Sequence, residues 1–333
     1  MKLVSFYGEN NQIRLGIQVD ACIYDLHAIN PHIPHTMETF LKMGERGMEL
    51  ARITERAIRE GHFQELARKE YHLAAPVPYP TSLRDAYAFR QHVVTSRANR
   101  GLKMIPEFDA FPVFYFSNHM AVKGPGEIFC MPDHFQQLDF ELEFAVVLNK
   151  GGKNIKAEEA DEHIAGFMIM NDFSARKLQM EEMKLNLGPA KGKDFVTTLG
   201  PWLVTPDELE QRKTFTREGH VGIVYHLNMI CRVNQREVSR GNTSDMDWTF
   251  AELIERISYG VEMFPGEVIG SGTVGTGCFL ELNGTGKRED PDYAAQWLKP
   301  MDTVELEIEG LGKLVNTVFQ EGDGHTILNR TGK

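Results

Sequence analysis

Hydrophobic and acidic residues alternate along Leu138–Leu148, LDFELEFAVVL, until the acidic positions give way to apolar ones. A strand repeats every two residues, so Asp139, Glu141 and Glu143 share one face while Phe140, Leu142 and Phe144 share the other. The acidic face continues as Ala145 and Val147, which predicts that the carboxylates are covered rather than washed by solvent. Same-face neighbours stand about 6.6–6.8 Å apart along a strand. At that separation two carboxylates repel by about 0.6 kcal/mol in water and about 2.5 kcal/mol at an effective dielectric of about 20. A proton or a cation then has to sit between them. The stretch VELEIEG at Val304–Gly310 serves as a control, because it alternates in the same way but runs into a Gly310–Leu311–Gly312 turn and returns as KLVNTVF. It reads as a half-solvated hairpin. Taken alone, Glu141 and Glu143 allow that ordinary reading too.

The remaining pattern predicts a β-rich α+β chain dominated by a curled sheet. Residues 1–75 open with alternating strands, turn at Glu9, Asn10 and Asn11, and continue as a helical run over Met37–Glu60 with Phe40, Leu41, Leu50, Ile53 and Ile58 inward. The proline-punctuated Ala74–Ser82 reads as a linker, which divides a small N-terminal α/β domain, 1–75, from a larger domain, 76–333. In SLRDAYAFRQHVV, Asp85, Phe89 and His92 fall at i, i+4 and i+7 of a helix, which turns Tyr87 away. An extended start that becomes helical near Ala88 would instead put Asp85 and Tyr87 on one side. By itself His92 is equally read as a surface or satisfied core histidine. Two short strands broken at Gly124, Pro125 and Gly126 follow, with His119 and His134 as structural residues near loops.

A helix at Glu158–Ile164 feeds the apolar strand AGFMIMND, which ends in Asn171 and Asp172. Ser174 is the expected N-cap of the next helix, so Asp172 reads either as part of that cap or as a site residue at a strand end. Lys191 and Lys193 lie in a glycine-containing loop before a strand starting near Phe195, either solvated or reaching into a cleft. The last third is strand-rich. Its predicted helix opens with a capping box, Thr249 to Glu252, and faces Phe250, Leu253, Ile254 and Ile257 inward. The glycines at 270, 272, 275 and 277 bracket Thr273, a spacing expected where backbone packs closely on a ligand or another strand.

Composition narrows the function classes. The 333 residues carry a net charge of -11 and show no run of lysine or arginine, which argues against nucleic acid and anionic membrane as partners and leaves a small molecule. Cys22, Cys130, Cys231 and Cys278 are far apart, without zinc-ligand or disulfide-framework spacing, and suit a reducing cytoplasm. The alternating N-terminus has no apolar stretch fit for export or for crossing a bilayer. No GxxxxGK[ST] loop or GxSxG elbow occurs, which weakens nucleotide and acyl-enzyme readings. Asp85, Glu141, Glu143 and Asp172 are hard oxygen donors, and brought together they favour Mg²⁺ or Ca²⁺ over zinc or copper.

DAYAFRQH, LDFELEFAVVL, NDFSARKLQ, GKDFVTTLGPWLV and GSGT followed by FLEL stand in an order and spacing that resembles the fumarylacetoacetate hydrolase family, over residues 80–320. The resemblance implies a rolled mixed β-sheet sandwich with its site at the mouth. It also implies that Asp85, Glu141, Glu143 and Asp172 hold a divalent cation, Mg²⁺ or else Ca²⁺ or Mn²⁺. His92 matches the family's general base, Glu281 the acid that orients it, and Lys193 a support for the developing oxyanion. Tyr87, Gln179, Thr197 and Thr273 match residues lining the substrate or the metal, and Arg97 and Arg100 compete for the place of an arginine that grips a substrate carboxylate. The stretch QMEEMKLNLGP departs from the pattern, having no tyrosine near Met183. The implied activity is metal-dependent cleavage of a carbon–carbon bond in a 1,3-diketo acid, of fumarylacetoacetate or acylpyruvate type, by a homodimer. The alternative within the family is decarboxylation or isomerisation of a β-keto or 2-oxo acid on the same metal. A metal-stabilised binding protein would leave His92 and Lys193 without chemical use.

Overall fold

Alternating runs become strands and the amphipathic runs become helices in the computed structural model, which describes residues 1–322 and 324–328. Strands β1 (Lys2–Tyr7), β2 (Ile13–Val19) and β3 (Cys22–Asp25) form an antiparallel meander. Helices α1 (Met37–Leu41) and α2 (Glu45–Arg59) pack against it where one helix was expected. Gly44, at φ 59°, separates them. Within α2, Met48, Ala51 and Ile58 are buried on one face, and Ile53, about 140° round the helix from Ile58, is exposed, against the expected inward face. The Ala74–Ser82 stretch is packed rather than solvent-washed: Ala74, Ala75 and Val77 are buried, and the Ser5 hydroxyl donates to the Pro76 carbonyl at 2.8 Å. Its prolines carry no N–H, which lowers the cost of burying irregular backbone.

Strand β4 (Ser82–Ala86) leads through Tyr87 into α3 (Arg90–Ala98), the extended-then-helical form of the two open at sequence level. Short strands β5 (Phe114–Ser117), β6 (Val122–Lys123) and β7 (Gly126–Cys130) follow, then β8 (Leu138–Asp139), β9 (Leu142–Leu148), β10 (Ile164–Asn171), α4 (Arg176–Met183) and β11 (Thr197–Val204). The last third supplies β12 (Asn228–Val233), β13 (Arg236–Asn242), α5 (Phe250–Ser258), β14 (Glu267–Gly270), α6 (Phe279–Glu289), β15 (Thr303–Ile308) and β16 (Gly312–Gln320). The capping box of α5 is present, with Thr249 N–H donating to Glu252 at 2.9 Å and Glu252 N–H to Thr249 Oγ1 at 3.2 Å. Helix α6 forms in a stretch whose pattern predicts strands. Its Gly284 and Gly286 lower helix propensity but lie where Asn99 and Tyr293 pack against them.

A ten-stranded mixed sheet runs β3-β2-β1-β11-β10-β9-β14-β4-β5, with β6 parallel to β11. A five-stranded sheet runs β13-β12-β15-β16-β7. Phe144 and Phe167 of the first sheet share one hydrophobic cluster with Met229, Leu306 and Leu314 of the second. On the opposite face Ala145 and Val147 join Leu3, Ile17 and Met48 in another. Strand β9 is therefore covered on both faces, which explains why its sequence stops alternating after Glu143.

Candidate active site

The predicted acidic strand is not continuous. Pairing breaks at Phe140 and Glu141, and Asp139 is not among the clustered acids but accepts from the N–H groups of Phe279 at 2.7 Å and Leu280 at 2.9 Å. There it also accepts from Arg176 Nε at 2.9 Å and anchors the start of α6, where a negative charge is favoured. Glu141 and Glu143 stay together. Each of Asp85, Glu141, Glu143 and Asp172 is buried, and each offers an oxygen that lies within 4.8 Å of the others. They come from the end of β4, the start of β9 and the end of β10, three strands whose register brings those ends to one side.

Glycine chemistry makes the space. Gly270 pairs with Asp85, and a Cβ there would stand 2.6 Å from Asp85 Oδ1. Gly272, at φ 79°, donates its N–H to the same oxygen at 3.0 Å. Ser174 does not cap α4: its hydroxyl bonds the Asp172 carbonyl, and Ala175 precedes the helix without a side-chain cap. Asp172 instead accepts from Lys193 Nζ at 2.6 Å, from the Tyr115 hydroxyl at 2.6 Å and from Thr197 Oγ1 at 3.4 Å. Lys191, by contrast, is exposed and pairs with Asp194.

The charge states diverge within this cluster. Burial and then Asp172 push the Asp85 carboxyl up to about 7, and burial with Asp85 and Glu141 raises Glu143 well above the usual carboxylate range. Burial acts to raise Glu141 as well. Lys193, at 2.5 Å, and Arg176, at 2.6 Å, outweigh it and hold Glu141 down at about 2. Lys193 is correspondingly raised, its own burial outweighed by Asp172 and Glu141. Glu143 Oε2 is buried without a hydrogen-bond partner among the described residues. An orphaned carboxylate oxygen inside four converging acids, with the Lys193 ammonium at one side only, fits a hard divalent cation.

His92 and Glu281 stand beside the cluster, where Glu281 Oε2 accepts from His92 Nδ1 at 2.6 Å. Both are buried, and the Tyr87 ring meets the imidazole edge-on at 5.9 Å. A cavity of about 750 Å³ is lined by Asp85, Tyr87, His92, Glu141, Lys193 and Thr273 among others. Gln179, Arg97 and Arg100 reach it as well. Arg97 Nε donates to the Lys103 carbonyl and Arg100 Nε to the Ser96 carbonyl. Thr273 Oγ1 bonds Glu143 at 3.4 Å, and Thr197 lies behind Asp172.

Two residues escaped the sequence reading. Arg176 is buried between Asp139, Glu141 and Gln179. It lies inside NDFSARKLQ, and its signal was an arginine immediately after an apolar strand and turn. Tyr115 carries no such signal, because only the pairing of β5 with β4 brings it to Asp172.

The fold and this cleft define a β-rich α+β enzyme with a carboxylate cluster at the ends of its sheet strands. Residues 81–319 match the family profile described as fumarylacetoacetate (FAA) hydrolase C-terminal, and the chain belongs to that family. It is 33% identical over 297 residues to the human protein named oxaloacetate tautomerase FAHD2A, mitochondrial, covering 89% of this chain and 83% of the relative. Its fold is similar to the fumarylacetoacetate hydrolase of Exiguobacterium antarcticum, with a TM-score of 0.66 at 23% identity over 96% of this chain and 100% of that one. A maleylpyruvate hydrolase from Sphingobium, solved in complex with manganese (II) ion and pyruvate, gives 0.67 at 18% identity over 97% of this chain and 100% of that one.

Proposed function

We propose that this chain is a divalent-metal-dependent hydrolase that cleaves the carbon–carbon bond of a 1,3-diketo acid, of fumarylacetoacetate or acylpyruvate type. The observation that carries the reading is the His92–Glu281 pair opening onto the cavity that also holds the carboxylate cluster. Asp85, Glu141, Glu143 and Asp172 would hold the cation, Mg²⁺ first and Ca²⁺ or Mn²⁺ as alternatives. When bound, it supplies Lewis acidity and charge neutralisation to a pair of substrate oxygens.

The protein's own groups do the rest. Glu281 accepts from Nδ1–H, which fixes the tautomer and leaves the Nε2 lone pair to take a proton from water. The water oxygen bonds to the carbonyl carbon, the carbon–carbon bond breaks, and the proton on Nε2 goes to the departing carbon. Lys193 spends two of its three N–H donors on Glu141 and Asp172, leaving one for the developing oxyanion. Arg176 donates to Gln179 Oε1 at 3.0 Å, which leaves the Gln179 amide N–H groups to the substrate. Tyr87 and Thr273 line the site, and Arg97 or Arg100 grips a carboxylate.

Isomerisation or decarboxylation of a 2-oxo acid is the second reading, favoured by the tautomerase name of the human relative. His92 can move a proton between carbon and oxygen without any water. The two separate by products. Purified protein with Mg²⁺ is given acylpyruvates, fumarylacetoacetate and oxaloacetate, and release of a carboxylic acid plus a keto acid supports hydrolysis. Loss of enol absorbance without cleavage, or turnover that survives His92→Ala within a few fold, overturns it, since a general base contributes about a hundred- to ten-thousandfold. The same reading places the chain in the cytoplasm as a homodimer, supported by four free thiols for the compartment and by the family resemblance for the assembly. The human relative is named mitochondrial, and among the described residues no helix is long and apolar enough to cross a membrane.

A further inference from the structure

One face of α4 changes character along its length. Arg176, Gln179, Met180 and Met183 fall at i, i+3, i+4 and i+7, and all four line the cavity. Arg176 and Gln179 stand at the carboxylate cluster, Arg176 bonded to Glu141 and Gln179 bonded to Arg176. Met183 lies seven residues from Arg176, about 10 Å along the helix axis.

Met180 is 36% and Met183 45% exposed, so neither thioether is held in a core. Ile105, Val113, Leu280 and Trp297 line the same cavity. Large apolar side chains left open around a concave surface mark a ligand groove, and methionine adapts its shape to irregular apolar ligands. At about 750 Å³ the cavity lies in the range of about 300–1,000 Å³ that takes drug-sized ligands, well beyond the needs of a chelating keto-acid head.

We propose that this wall is an acyl subsite: the substrate's far end is an apolar aliphatic or aryl group seated on Met180 and Met183. The inference deepens the reading above and rests on it for the 2-oxo acid head. The competing occupant is a second carboxylate drawn to Arg97, Arg100 or Lys287, which line the cavity too. Against it, Arg97 and Arg100 each commit Nε to a backbone carbonyl close by in the chain, whereas the Met180 and Met183 side chains carry no charge to hold a carboxylate.

Calorimetric binding to the Mg²⁺-loaded full chain tests this without requiring turnover. The probes are pyruvate, 2-oxohexanoate, 2-oxooctanoate, 2-oxodecanoate, and the dicarboxylate 2-oxoadipate. Affinity should rise along the monocarboxylate series by up to about fourfold for each methylene buried. Met183→Lys should pull the 2-oxooctanoate to pyruvate affinity ratio towards one, and Met183→Leu should keep it high. A flat or falling series, 2-oxoadipate outbinding 2-oxooctanoate, or a ratio unmoved in Met183→Lys overturns the subsite. If the tail ratio holds while no diketo acid is cleaved, the hydrolase reading fails and the subsite stands; cleavage with a flat series gives the reverse. Absence of binding by every 2-oxo acid overturns both.

Discussion

The stretch leading into β9 and strand β15 both alternate acid with hydrophobe, and both strands run through the interior of a sheet, yet their carboxylates meet opposite surroundings. Glu143 is sealed at 0% exposure, with an oxygen that has no hydrogen-bond partner among the described residues, and burial drives its pKa up. Glu305 and Glu307 lie on a half-open face and accept from Arg232 at 2.6 and 2.7 Å. The Arg232 hydrogen bond, followed by lesser contributions including Lys313, holds Glu307 down. Alternation tells which acids share a face. The elements packed on that face decide whether they stay charged, and hence whether they can serve as a metal cradle or only as a solvated ladder.

The hardest blow to this contrast is Glu141→Gln. It leaves Lys193 and Arg176 short of a buried counter-charge, so chemical denaturation should show a loss of about 3–5 kcal/mol. Calorimetric Mg²⁺ binding should vanish with it, and Glu143→Gln should lose Mg²⁺ too. Unchanged affinity in both variants would erase the distinction between the strands.

Next in size is the response to cation and pH. Asp85 and Glu143 have folded pKa values above their unfolded ones, so in the metal-free protein the native state keeps protons that the unfolded chain has released. Their contribution is present below about pH 4 and is lost as pH rises through about 7 for Asp85. Metal-free melting temperature should therefore fall between about pH 5 and pH 8 through these groups. Mg²⁺ at a hundredfold over its Kd should restore about 2.7 kcal/mol. At one fixed Mg²⁺ concentration the stabilisation should be larger at the higher pH, because there the ion competes with fewer bound protons. An equal Mg²⁺ effect at both pH values would contradict the proton–cation exchange.

Gly270→Ala sharpens the comparison by crowding Asp85 without touching a charge. Its new methyl would meet Asp85 Oδ1 at 2.6 Å and the Met170 side chain at 2.9 Å. Overpacking of this kind costs about 1–3 kcal/mol, and Mg²⁺ affinity measured by titration should drop in parallel. The smallest effect belongs to β15. Glu305→Gln and Glu307→Gln remove partly exposed ion pairs, each costing about 0–1 kcal/mol in denaturation, and leave Mg²⁺ binding as it was. A metal defect in either would show that the control strand is no control.

Features that depend on local period and local chemistry are legible in the order of residues alone. The face shared by Glu141 and Glu143, the hairpin at Gly310–Gly312 and the Thr249 capping box are of this kind, because strand repeat, turn conformation and a three-residue hydrogen bond involve only near neighbours. The strand-to-helix change near Ala88 was readable only as one of two options. Tertiary structure alone decided the rest. Asp139 is held by two N–H donors at the start of α6, some 140 positions away. Arg176 and Tyr115 reached the acids through pairings between distant segments. In each case the deciding partner is remote along the chain, and a pattern of neighbours carries no record of what will be packed against it.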